Sequence, residues 1–165
     1  MEGLAERLNV QLGVEVVVDD EVVGPEPAFS RARGQYDSRQ LMAILAERKL
    51  TADEVVVGVA DVDLYASIFT FVFGEAHLGG AVALVSAHRL RPEHYGLPGD
   101  PALVATRLLT ESVHEIGHLH GAVHCATPGC VMNFSGVVEE IDLKRPRPCP
   151  ECAGHFGLES RTDDA

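Results

Sequence analysis

Tryptophan is missing from this 165-residue chain, and aromatic residues as a whole make up only 5% of it. Any core must therefore rest on Val, Leu, Ile and Ala. No apolar run approaches the ~20 residues that a membrane-spanning helix needs. The start, Met1-Glu2-Gly3-Leu4-Ala5-Glu6, lacks the basic region and long apolar stretch of a signal peptide, so a soluble, cytoplasmic protein is expected. Lysine is nearly absent: 2 Lys accompany 11 Arg, against 25 acidic residues, and the formal net charge is −12. The basic runs Arg31-Ala-Arg33 and Lys144-Arg145-Pro-Arg147 are short and isolated. Nucleic-acid backbones and anionic membranes both require clustered positive charge, so neither is an expected partner. Cysteine is also sparse, and all four residues fall between Cys125 and Cys152.

What is present describes a globular chain. Apolar residues reach 46% and charged residues 23%, and the length suits a single domain over 1–165 with a real core. Residues 4–11 read as a short helix and Val14–Val18 as a first strand ended by Asp19-Asp20. Glu21–Gly34, with two prolines and two glycines, reads as loop. Asp37 or Ser38 caps a helix running to about Leu50, with Leu41, Ile44 and Leu45 as its buried stripe. Val55–Ala60 has the near-continuous apolar character of a strand covered on both faces. Phe69–Phe73 is a further strand candidate, and Gly79-Gly80 introduces another over Ala81–Ala87, either an edge strand or a buried one. Asp100-Pro101 then starts a helix to His120, ~30 Å long, because Asp can accept from first-turn amides and Pro loses no useful donor there. Beyond Gly121 the chain turns irregular and proline-rich. The order predicts an α/β fold: an N-terminal sheet-and-helix part over 1–124 and a small cysteine-rich part over 125–165.

The chemistry concentrates in His114-Glu115-Ile116-Gly117-His118. On a helix, positions four apart share a face, so both imidazoles can reach one zinc ion at ~2.0–2.1 Å. Glu115 projects from the neighbouring position, suited to meet a zinc-bound water as general base without being a ligand. An open catalytic site needs a third protein ligand. His124 is the candidate, yet in a continuing helix it would sit ~240° around the axis and ~9 Å further along. The chain must therefore turn, and Gly121 stands where a left-handed residue would end the helix. His120 lies off the metal face and His77, His88, His94 and His155 are isolated, so all five read as structural or solvent-facing.

Cys125-x4-Cys130 and Cys149-x2-Cys152 form two pairs separated by 18 residues. Two such pairs suit a closed, structural four-thiolate zinc site; two disulfides or loose thiols are the alternative. Cys125 directly follows His124, so such a site would clamp the segment that delivers the third histidine. Two zinc ions per chain are expected, one catalytic and one structural.

The run His114–His124 resembles the metzincin motif. Its continuation, Cys125-x4-Cys130-x-Met132 and then Cys149-x2-Cys152, is similar to the archaemetzincin branch in particular. Asp61-Val-Asp63-Leu64-Tyr65 and Phe71-Val72-Phe73-Gly74-Glu75-Ala76 share that resemblance. It implies a metzincin fold, with a twisted mixed sheet and a long active-site helix, and a Met-turn at Met132 beneath the histidines. From its own residue type alone, Met132 is equally a core methionine. Where some branches carry a tyrosine two positions after the methionine, this chain has Phe134, which has no hydroxyl. The expected activity is zinc-dependent hydrolysis of peptide bonds in a peptide or protein substrate, with strand 81–87 as a candidate substrate-pairing edge. Hydrolysis of a small amide or ester, or a non-catalytic zinc-stabilised binding module, are the alternatives.

Overall fold

A computed structural model of the chain describes residues 2–19, 21–48 and 51–158. Eleven regular elements follow in order: α1 (Glu2–Leu12), β1 (Phe29–Ser30), β2 (Gln35–Asp37), α2 (Ser38–Leu45), β3 (Val56–Ala60), β4 (Leu64–Tyr65), β5 (Gly74–Ala76), β6 (Val82–Ser86), α3 (Pro101–Leu119), α4 (Val138–Asp142) and α5 (Pro150–Ala153). They make a mixed α/β fold. One sheet has the order β1-β2-β4 and the other β3-β6-β5. In the second sheet β3 runs parallel to β6, pairing Val56 with Val82, whereas β5 runs antiparallel, pairing Gly74 with Val85. No described helix is long and apolar enough to cross a membrane.

α3 is the spine. The Asp100 carboxylate accepts from Leu103 N–H at 3.0 Å, and Pro101 takes the first helical position, as the sequence predicts. Its second half is buried almost all round, from Leu109 to Gly117. One side packs with Leu8 and Leu12 of α1 and with Val131 and Met132 of the C-terminal segment, and the opposite side meets β5 and β6. Gly117 permits the closest approach: a β-carbon there would collide with the Met132 thioether and lie 2.6 Å from the Phe156 ring. A second core joins Leu41 and Met42 of α2 to Leu64, Val82 and Leu84.

Several expectations are corrected. Val14–Val18 is no strand: it has no ladder partner, Val17 is 78% exposed, and only Val16 packs against the core. Phe69–Phe73 is no strand: the chain bends at Phe69, Thr70 and Phe73 and makes a single bridge, Val72 to Leu64. Two of its carbonyls are taken instead by side chains, with Arg33 donating to Phe69 O at 2.8 Å and Gln35 to Thr70 O at 2.9 Å. The strand begins where that segment ends, at Gly74. The segment read as loop before Gly34 contains β1, and the irregular tail contains α4 and α5. α2 stops at Leu45, and Arg48 turns away to pair with Asp19; Asp20, Lys49 and Leu50 lie outside the described residues. The largest correction concerns β6. It sits between β3 and β5 and is buried along its whole length, so it has no free edge. The edge on that side of the sheet is β5.

Two ion pairs tie α3 to the C-terminal segment. Arg107 donates to both carboxylate oxygens of Asp142, at 2.7 and 2.6 Å. Lys144, one of the basic residues of a short, isolated run in the sequence, is buried and donates to Glu111 at 3.1 Å.

Candidate metal centre

The last two turns of α3 present His114 and His118 on one face, and the chain then reverses as the sequence predicts. Gly121 has φ +83°, Gly121 N–H donates to His118 O at 3.0 Å and Ala122 N–H donates to Gly117 O at 2.9 Å. That pair of bonds is the Schellman arrangement of a glycine-ended helix. The reversal brings His124 back: its ring centroid lies 5.0 Å from that of His118 and 5.3 Å from that of His114. One ligand nitrogen from each of the three rings lies within 4.8 Å of the others.

Hydrogen bonds select which nitrogens face inward. His114 Nδ1 lies 2.7 Å from Val131 O, and His118 Nδ1 lies 2.8 Å from Ala122 O. A carbonyl can only accept, so both Nδ1 atoms carry the proton and both Nε2 atoms present lone pairs. Those Nε2 atoms are 3.1 Å apart, and two neutral rings of this tautomer have no proton to place between them. Two ligands of a tetrahedral zinc ion at ~2.0–2.1 Å would stand ~3.3 Å apart, so the spacing fits a metal ion. Burial pushes the three histidines below their ordinary pKa, His114 furthest, and so favours the neutral ligand form.

Glu115 is 4% exposed and its side chain lies against Gly74 of β5. Burial, and then the charge of Glu111, push its carboxyl well above the usual range, while Lys144 pulls the other way. Met132 is fully buried beneath α3 at Gly117. The Phe134 ring stands 5.3 Å from that of His124. Ala76, Leu78, His118, Val123 and His124 line a shallow cavity of about 270 Å3 beside the histidines. A larger cavity, about 430 Å3, is lined by Val59, Arg91 and Leu108 among others and shares no residue with this centre.

The four cysteines also converge. Their Sγ atoms lie within 4.8 Å of one another and none is in a disulfide. Cys125 Sγ and Cys149 Sγ are 3.8 Å apart. That is far beyond the ~2.05 Å of a disulfide. It equals the ~3.8 Å edge of a tetrahedron with Zn–S bonds of ~2.3 Å. Backbone amides turn toward the sulfurs: Thr127 N–H donates to Cys125 Sγ at 3.4 Å and Cys149 N–H to Cys130 Sγ at 3.3 Å. Burial raises the Cys149 thiol, but hydrogen bonds from Cys152 and the neighbouring cysteines bring it down to about 7, toward the thiolate a metal requires. The two clusters share backbone. Cys125 follows His124, its N–H donates to Met132 O at 2.8 Å, and the carbonyl that orients His114 belongs to Val131, between Cys130 and Met132.

All seven ligand candidates read from the sequence are thus brought together in two groups. Two features lacked a sequence signal. The Glu111–Lys144 pair joins residues 33 apart, and Gly74 showed only as one letter of a resembling segment.

Residues 5–157 match the model of Peptidase family M54. The archaemetzincin of Methanocaldococcus jannaschii is 44% identical over 128 residues, 78% of this chain and 69% of that one. The archaemetzincin of Thermococcus kodakarensis is 47% identical over 126 residues, 76% of this chain and 68% of that one. Among solved structures, a zinc-dependent peptidase from Methanocorpusculum labreanum superposes with a TM-score of 0.84 at 32% identity, covering 93% of this chain and 91% of that one. The archaemetzincin from Archaeoglobus fulgidus, complexed with malonate, gives 0.80 at 37%, covering 93% and 90%. With zinc-ligand chemistry at both clusters and relatives of this kind along most of its length, the chain belongs to Peptidase family M54, the archaemetzincin zinc metallopeptidases.

Proposed function

We propose that this chain hydrolyses peptide bonds at the three-histidine centre, with His114, His118 and His124 holding a catalytic zinc ion and Glu115 acting as general base. Cys125, Cys130, Cys149 and Cys152 hold a second, structural ion, giving two per chain. Met132 forms the apolar floor. The observation that carries the reading is the pair of Nε2 lone pairs, 3.1 Å apart and aimed inward because both Nδ1 atoms are tied to carbonyls.

When bound, the catalytic ion supplies Lewis acidity and brings the pKa of a water to ~7. Glu115 accepts the proton of the attacking water and delivers it to the leaving amine. Its burial keeps bulk water from competing for that proton. β5 presents an edge that no described strand pairs, so an extended peptide can add to it and run past Ala76 and the two histidines of the shallow cavity. Phe134 offers no hydroxyl to the reacting carbonyl.

The test is Glu115→Gln, which is nearly isosteric and spares every ligand. On a peptide cleaved by the parent, hydrolysis should fall at least ~10²-fold with zinc content unchanged. Full retained activity would remove Glu115 as the base. Metal analysis of protein prepared without chelator should give about two zinc ions per chain; about one, with four titratable thiols, would remove the structural ion.

A further inference from the structure

The edge strand β5 has different neighbours on its two faces. Glu75 points to α2, where its carboxylate bonds Ser38 Oγ and the Arg39 guanidinium, the latter at 3.2 Å. Gly74, one residue earlier and so on the opposite face, points to α3. A β-carbon at Gly74 would lie 2.6 Å from Oε1 and 2.8 Å from Cγ of Glu115, and 2.9 Å from the carbonyl oxygen of Leu84. Its φ lies outside the left-handed range, so it is space and not backbone conformation that demands glycine here.

Three of the parts around Gly74 are held in place. β5 is registered on β6 by three pairs, Gly74 with Val85, Glu75 with Leu84 and Ala76 with Ala83. The Leu84 carbonyl is backbone of the central strand, and Glu75 is tethered to α2. The part free to yield is the Glu115 side chain, which leaves its position only by changing rotamer in a buried space.

We propose that Gly74 is a positioning residue for Glu115: its bare α-carbon is the wall against which the side chain rests, and it fixes the rotamer in which the carboxylate is held between α3 and β5. This rests on the reading of Glu115 as general base. It implies that β5 has two roles, an edge for substrate and a stop for the base.

The experiment uses the zinc-loaded full chain. Gly74→Ala should lower kcat by ~10²-fold with KM within about 3-fold, since a misaimed base acts on the chemical step. Zinc content should stay at the parental value. Its melting temperature should fall by ~2–10 °C, and adding the same change to Glu115→Ala should cost less than about half of that, because the obstructing side chain is gone. Gly58→Ala is the packing control. Its β-carbon would meet the side chains of Leu45 and Leu84, so it should lower the melting temperature and leave kcat unchanged. A parental kcat in Gly74→Ala, or equal melting losses with and without the Glu115 side chain, overturns the proposal. If Gly74→Ala fails to fold while Gly74→Ala/Glu115→Ala folds, the coupling is established; if neither folds, the Leu84 carbonyl is the obstacle and the proposal fails. Should Glu115→Gln keep full activity, the base reading falls separately, and the melting comparison alone decides whether Gly74 positions Glu115.

Discussion

At Gly121 one backbone angle serves two of the candidate ligands. With φ at +83°, the residue ends α3, and the Ala122 carbonyl that follows orients the His118 ring before the chain delivers His124. A β-carbon at Gly121 would meet nothing within 4 Å, so the demand is conformational and not steric crowding. An L-residue in this region costs ~1–2 kcal/mol, and a β-branched one more. Gly121→Val should therefore weaken zinc binding at the histidines by ~10-fold or more while sparing the cysteine cluster. Gly121→Asn should be far milder, because Asn tolerates left-handed backbone. Chelator competition on both variants checks this; equal affinity for Val and parent would show that the turn does not depend on glycine.

Between elements, the critical bond is the one from Lys144 to Glu111. Both side chains are almost sealed, at 2% and 4% exposure, and the pair joins the α3 turn before the histidines to the segment between the cysteine pairs. Burial raises the Glu111 pKa, and the charge and hydrogen bond of Lys144 oppose that. Removing one partner strands a charge in the interior, whereas removing both does not. Lys144→Met should destabilise the chain by ~3–5 kcal/mol, roughly 6–20 °C in Tm, and Lys144→Met/Glu111→Leu should recover most of the loss. A double variant no better than the single one would show that the pair is not what Lys144 contributes.

Across the whole molecule, the function proposed divides the work between the histidine and cysteine clusters. A four-thiolate site is assembled only in the folded chain, so metal binding there adds directly to folding free energy. Cys149→Ser should lower the melting temperature clearly and also impair hydrolysis, since the His124–Met132 segment, which includes Cys125 and Cys130, also carries the carbonyl that orients His114. His118→Ala should abolish hydrolysis while most of the melting temperature survives. Melts and assays at equal zinc concentration decide it; the opposite pattern would invert the structural and catalytic roles. Membership of a peptidase family speaks for an enzyme and against the non-catalytic binding module. Much of this design was legible along the chain. Spacing alone set His114 and His118 on one helical face, placed the Asp100-Pro101 start and marked the Gly121 reversal, because helix periodicity, capping and left-handed glycine act within a few residues. The ligand types of both clusters were visible for the same reason. Strand placement was not. Val14–Val18 has the residues of a strand but no partner, and β6 is central and not an edge, since ladder pairing depends on which distant segment lies alongside. Burial of Lys144, and the demand for glycine at position 74, also arise only when α3 meets elements far away in sequence, where close packing and desolvation act between residues that the linear order keeps apart.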